Sequence, residues 1–398
     1  MGQRRTGHLL KGIDKMKTQR LMTLLAVTLS LSFFVSGQEA KHKKLIGFDH
    51  STPTPLFLKK NIAEMEKYAP YDGIGIRVAT SGKVNGKTIN CSGWTVCSNI
   101  PWKYEWFADT VKTLQEIKFK KFKHNFLRTT VHPGTLSLFS DTDWATAGNN
   151  FSILSKIAKE GGLKGLFFDI EDYANSLFAY KKERYPGKSL EDAKKMMRKR
   201  GREIGNAVFR AYPDIVLFCP FGLSINRIIA EAPNLETKDA WANTYVLFPA
   251  FFNGLLDVLP ATAVIVDGHE GRGYYAEFKL IRKIHNQLSP RLVQPENMEK
   301  YKNQVQLGIG LYLDPYFYPE AMKKTSQFFR ALAPENKDRL SVFRHNLDQS
   351  FATSEEYVWT WGEGAAWWKE AAPGKKMPLW EDFCPGVTAA TEEIRSKY

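Results

Sequence analysis

Two carboxylates stand two residues apart in Asp169-Ile-Glu171, at the end of the apolar run that starts at Leu163. In an extended chain alternate side chains share a face, so both project the same way, about 6 to 7 Å apart along the strand. Like charges that close repel, and one carboxyl tends to keep its proton near neutral pH, as a general acid must. Glu171 is the expected acid, and Asp169 orients it or shares its proton. The competing reading of Asp169 is structural, as the partner of Arg77 or Arg128. Asp267-Gly-His-Glu270 supplies the second group, with Glu270 expected as base or nucleophile and Glu363 in reserve. Cleavage of a glycosidic bond needs two such carboxyl groups, about 5 Å apart for retention or 6.5 to 9.5 Å for inversion. Asp267, His269 and Glu270 could also hold a divalent metal, but their tight spacing alone is a weak signal and no metal is expected.

Eight short β-branched or aromatic runs must position these groups: 44–50, 73–78, 125–131, 163–171, 215–221, 263–270, 305–313 and 357–363. Helical patterns lie between them at 56–68, 107–117, 152–160 and 190–211. Strand, helix, strand alternation implies parallel βαβ units, and eight units predict an α/β fold, a single-domain (β/α)8 TIM barrel over 38–398. The alternative, an open doubly wound sheet, lacks its phosphate loop: no GxGxxG follows the first strand and no GxxxxGK occurs, so no cofactor is expected. In a barrel the C-terminal strand ends share one rim. That rim would gather Asp49, His50, Arg77, Arg128, Tyr173, Asp267, His269, Tyr312, Trp359 and Trp361 as substrate-binding residues around the four carboxylates.

The ligand class follows from the aromatic residues, 13% of the chain. Trp359 and Trp361 share a strand face, and Trp367, Trp368, Tyr274, Tyr275 and Tyr316 fall near the same ends. Flat rings beside acids suit a carbohydrate. Charge is the weaker guide. Arg4, Arg5, Lys11, Lys15, Lys17 and Arg20 precede the uncharged stretch 21–35, which reads as a secretory signal peptide over 1–37 with Met16 as an alternative start. Removing it takes away six basic residues and Asp14, so 56 minus 42, or +14, becomes 50 minus 41, or +9. Export to the periplasm or beyond argues against a nucleic-acid partner, and no later apolar run is long enough for stable membrane insertion. The basic segment 181–202 reads first as the solvated face of an amphipathic helix and second as a lure for an anionic polysaccharide. Cys91 and Cys97 are spaced for a loop disulfide.

Gly165-Leu-Phe-Phe-Asp169-Ile-Glu171-Asp-Tyr173 resembles the fourth-strand motif of (β/α)8 glycoside hydrolases. It is most similar to the D-x-E end of the motif in family 18 chitinases and endo-N-acetylglucosaminidases. The resemblance implies that Asp169 supports a substrate acetamido group and that Glu171 is the acid; the motif's earlier acidic positions are Gly165 and Phe167 here. Glu64-Met-Glu66, Tyr71-Asp-Gly73, Asp267-Gly-His-Glu270, Tyr357-Val-Trp359 and Trp367-Trp368 are together similar to poorly characterised secreted bacterial barrel proteins. The expectation is a secreted glycoside hydrolase acting on a poly- or oligosaccharide, and the alternative is a barrel that binds glycans without cleaving them.

Overall fold

Nine parallel strand segments make one sheet in the order β10-β11-β1-β2-β5-β6-β7-β8-β9. They are β1 Lys44–Gly47, β2 Gly73–Ile76, β5 Phe126–Thr130, β6 Gly165–Asp169, β7 Val216–Cys219, β8 Val264–Asp267, β9 Val305–Leu307, β10 Ile309–Tyr312 and β11 Tyr357–Trp361. The two ends of that order are consecutive in the chain, separated by Gly308 alone. The sheet therefore closes into a barrel of eight strands, and the expected fold class stands. The computed structural model describes residues 42–48, 52–171, 177–231, 245–317, 338–372 and 375–398; the leader segment lies outside them. Among the described residues no helix is long and apolar enough to cross a membrane.

The seventh strand does more than its apolar run announced. Its first half pairs with β8 and its second half with β11. The switch falls on Gly308, whose N–H donates to Asp267 O at 2.8 Å and where a Cβ would meet Val266 Cγ1 at 2.7 Å. Glycine permits that approach, and the strand can change partners without a clash.

Helices cover the outside, and their starts are written locally. Thr54 accepts from Phe57 N–H ahead of Pro55–Tyr68, with Pro55 in the first turn, where a missing N–H costs nothing. Ser189 and Asp192 close a reciprocal cap at the head of Leu190–Ala211. Helix Asp141–Glu160 begins eleven residues before the expected 152, at the Ser140 cap. The basic helix is held inward: Arg198 and Arg202 bind Asp257 at 2.7 and 2.9 Å, while Arg200 is fully buried against Leu138 O, Asp141 and Glu203. These charges are spent on packing helices together.

Ile46, Phe48, Phe126, Phe167, Phe218, Val266, Tyr357 and Trp359 fill the barrel interior. Phe48 meets Phe167 at 4.0 Å between ring centroids and Phe218 at 5.0 Å. The lumen is thus a packed floor, and any chemistry must sit above it, at the C-terminal ends. An antiparallel hairpin, β3 Ala79–Val84 and β4 Lys87–Ser92, rises from the end of β2 and adds a wall there. Cys91 and Cys97 are both buried and are not joined in a disulfide; burial pushes the Cys91 thiol up to about 11.

Candidate active site

Side-chain alternation along each strand decides what reaches the rim. On β6, Phe167 sits in the lumen floor, so Asp169 stands one step above it and Glu171 one step beyond. The Glu171 N–H donates to Asp169 Oδ1 at 2.9 Å, which ties the two together. On β5, Arg128 stands above Phe126 in the same way. Its guanidinium lies 4.9 Å from the Trp361 ring centroid, and among the described residues its buried Nε has no hydrogen-bond partner.

The Asp267-Gly-His-Glu270 segment delivers its four residues to different places. Val266 packs into the lumen, so Asp267 points outward, away from the rim, and is completely buried. It accepts from Gly222 N–H at 2.8 Å, Ser224 N–H at 3.0 Å and the Ser224 hydroxyl at 2.5 Å. Burial opposes its ionisation, but His269 beside it and these donors outweigh burial and hold the carboxyl below its usual range. Gly268 lets the Trp359 indole pass beneath, and Trp359 Nε1 donates to Gly268 O at 2.9 Å; a Cβ there would be 2.7 Å from that nitrogen. His269, at φ 46°, is buried with Nε2 3.4 Å from His285 Nδ1. This left-handed turn sends Glu270 back over the rim, where its N–H donates to Pro220 O at 2.9 Å.

Glu270, Asp169, Glu171 and Arg128 then share one electrostatic environment. Burial, followed by the negative charges of Asp169 and Glu171, raises the Glu270 carboxyl well above its ordinary value against the pull of a Tyr274 hydrogen bond and Arg128. Burial likewise raises Asp169, to about 7, although the Glu171 N–H and Arg128 act against it. Tyr274 stacks on Tyr312 at 5.2 Å. The Tyr312 hydroxyl donates to Asp314 at 3.3 Å, and Asp314 accepts Glu363 N–H at 2.9 Å, which fixes the end of β11. Burial raises the Asp314 carboxyl too.

Of the residues expected here, Asp169, Glu171, Glu270 and Arg128 converge, with Tyr312 and Trp361 beside them. Trp359 is 1% exposed and belongs to the lumen floor, so it has no ring face to offer. Asp267 and His269 are enclosed behind the barrel wall and act on the loop rather than on a ligand. Arg77 is exposed after β2, and its N–H donates to Pro53 O. Glu363 is exposed and accepts from Trp361 Nε1 at 3.3 Å. Asp49, His50 and Tyr173 lie outside the described residues. Tyr274 as the partner of Glu270 was hidden in plain sight, four residues downstream across one turn. Among the described residues no three His, Cys, Asp or Glu side chains group as a metal site.

A search of solved structures finds a similar fold in a GH5-4 broad specificity endoglucanase from an uncultured bacterium. The two share 11% identity over 84% of each chain, with a TM-score of 0.43. No family model and no curated protein matches the sequence.

A raised carboxyl also leaves a mark on stability. Asp169 ionises near 3.8 when unfolded and near 7 when folded, so between those values the native state holds the extra proton and stability falls as pH rises. Asp169→Asn removes that penalty. The variant is expected to be more stable than wild type by up to about 4 kcal/mol at pH 8 and to lose the advantage near pH 4, as read by denaturant unfolding at the two pH values.

Proposed function

We propose that the chain is a secreted glycoside hydrolase that acts on a poly- or oligosaccharide. The observation that carries the reading is the convergence of Glu270, Glu171 and Asp169 over an aromatic floor, with one carboxyl strongly biased to keep its proton. Carboxyl groups driven to different proton affinities are what acid/base cleavage of a glycosidic bond requires. The bias assigns the roles in the opposite sense to the sequence expectation. Glu270, desolvated and crowded by two acids, is the proton donor to the leaving oxygen. Glu171 serves from the other side as base or nucleophile, held by its backbone bond to Asp169. Trp361, half-buried over Arg128, offers an indole face to a sugar ring.

Export rests on the leader alone.

The test is hydrolysis of polysaccharides and aryl glycosides by the purified protein. Glu171→Gln is expected to lower the rate on every cleaved substrate by a factor on the order of 10² to 10⁴. An unchanged rate would remove Glu171 from the mechanism. Saturable glycan binding with no cleavage would leave a glycan-binding barrel.

A further inference from the structure

One large aromatic at the rim has no part in the chemistry above. Trp94 is 42% exposed, whereas the other eight described tryptophans are buried or half-buried. Its support is built with care. The loop after β4 is tied by Thr95, whose hydroxyl accepts from Ser92 N–H and donates to Asn90 O, both at 3.0 Å. Gly93 is pressed so tightly against β5 that a Cβ would lie 1.8 Å from Arg128 O, and Gly93 O accepts from Thr130 N–H at 3.0 Å. The inner face of the indole rests on the His132 ring, 4.9 Å away and tilted by 36°. The chain therefore pays to order an exposed indole, which solvent alone does not reward.

Its location is continuous with the site. The residue before Trp94 touches the backbone of Arg128, and Thr130 on β5 is in register with Asp169 on β6. Adjacent strands are about 4.8 Å apart, so Trp94 stands roughly two strand spacings, about 10 Å, from the carboxylates. A group bonded at the cleavage point does not reach it, but the next units of a chain do.

We propose that Trp94, backed by His132, is a stacking platform for a distal ring of an extended oligosaccharide, bound across the rim on the β2–β5 side of the carboxylates. The ligand is a ring with an apolar C–H face laid flat on the indole, with its hydroxyls directed to water and to the polar turn. This rests on the hydrolase reading and adds to it a preference for longer chains.

The probes are aryl monoglycosides and hexameric oligosaccharides of glucan, xylan, mannan and chitin. Trp94→Ala is expected to raise KM for the cleaved hexamer about tenfold and to leave kcat/KM on the aryl monoglycoside unchanged, with Trp94→Phe in between. Thermal melting of both variants checks that the fold is kept. An unchanged KM on the hexamer overturns the platform while the hydrolase stands, and an equal loss on the monoglycoside also overturns it by placing the ring at the catalytic centre. If wild type binds a hexamer without cleaving it and Trp94→Ala weakens that binding tenfold, the platform stands and the hydrolase reading falls. If wild type neither binds nor cleaves any of the probes, both fall.

Discussion

Glu270→Gln is expected to reduce kcat on unactivated oligosaccharides by a factor on the order of 10² to 10⁴, with KM little changed. Glutamine keeps the shape of the protonated carboxyl and can still meet Tyr274, so the fold loses nothing at neutral pH. What it cannot do is release a proton. The leaving group decides between the two assignments of acid. A dinitrophenol departs without protonation, so an acid variant is largely spared on dinitrophenyl glycosides, whereas a base or nucleophile variant is not. Glu270→Gln is expected to be spared and Glu171→Gln to be crippled on that substrate. The reverse result would return the acid role to Glu171 and require that the crowding around Glu270 serve something other than proton donation. Glu277→Gln, a half-buried partner of Arg272 outside the carboxylate cluster, is the control and should behave as wild type.

Asp267→Ala is expected to be the most destabilising single change among the residues discussed, at about 3 to 4 kcal/mol. The carboxylate is completely buried and satisfies Gly222 N–H, Ser224 N–H and the Ser224 hydroxyl at once. Alanine leaves those donors desolvated without acceptors and opens a cavity beside His269. The damage spreads to the site, because Glu270 N–H bonds to Pro220 O on the same loop that Asp267 holds. Chemical denaturation measures the first effect and activity at a permissive temperature the second. Asp267→Asn keeps one acceptor and should fall between alanine and wild type on both. A variant as stable as wild type would show that the loop is held by other contacts.

Much of the fold was legible because it is written in local rules. Eight short apolar runs alternate with amphipathic segments, and the caps at Thr54 and Ser189 sit where the periodic pattern starts. The pairing of Asp169 with Glu171 was equally local, since two residues apart on a strand means one face whatever surrounds it. The basic segment was expected to present a solvated helix face, and the sequence could not say that Arg198 and Arg202 turn to Asp257 while Arg200 is buried against Asp141 and Glu203.

The site was less legible because a parallel barrel strand is buried on both faces. Val264-Ile-Val-Asp267 reads as one apolar run, with nothing to tell the lumen face from the helix face. That ambiguity placed Asp267 and His269 on the rim when they stand behind it. It also counted Trp359 as a ligand platform when it is a lumen residue under Gly268. The sequence by itself determined the strand count, the parallel alternation and the shared face of Asp169 and Glu171. Only the closed barrel decided which carboxyls meet, since Glu270 is nearly a hundred residues from Glu171 and its high proton affinity arises from burial beside that acid and Asp169. Alternation along a strand is fixed by covalent geometry, but the choice of inward face and the neighbours across the rim are fixed by packing, which no local stretch of chain contains.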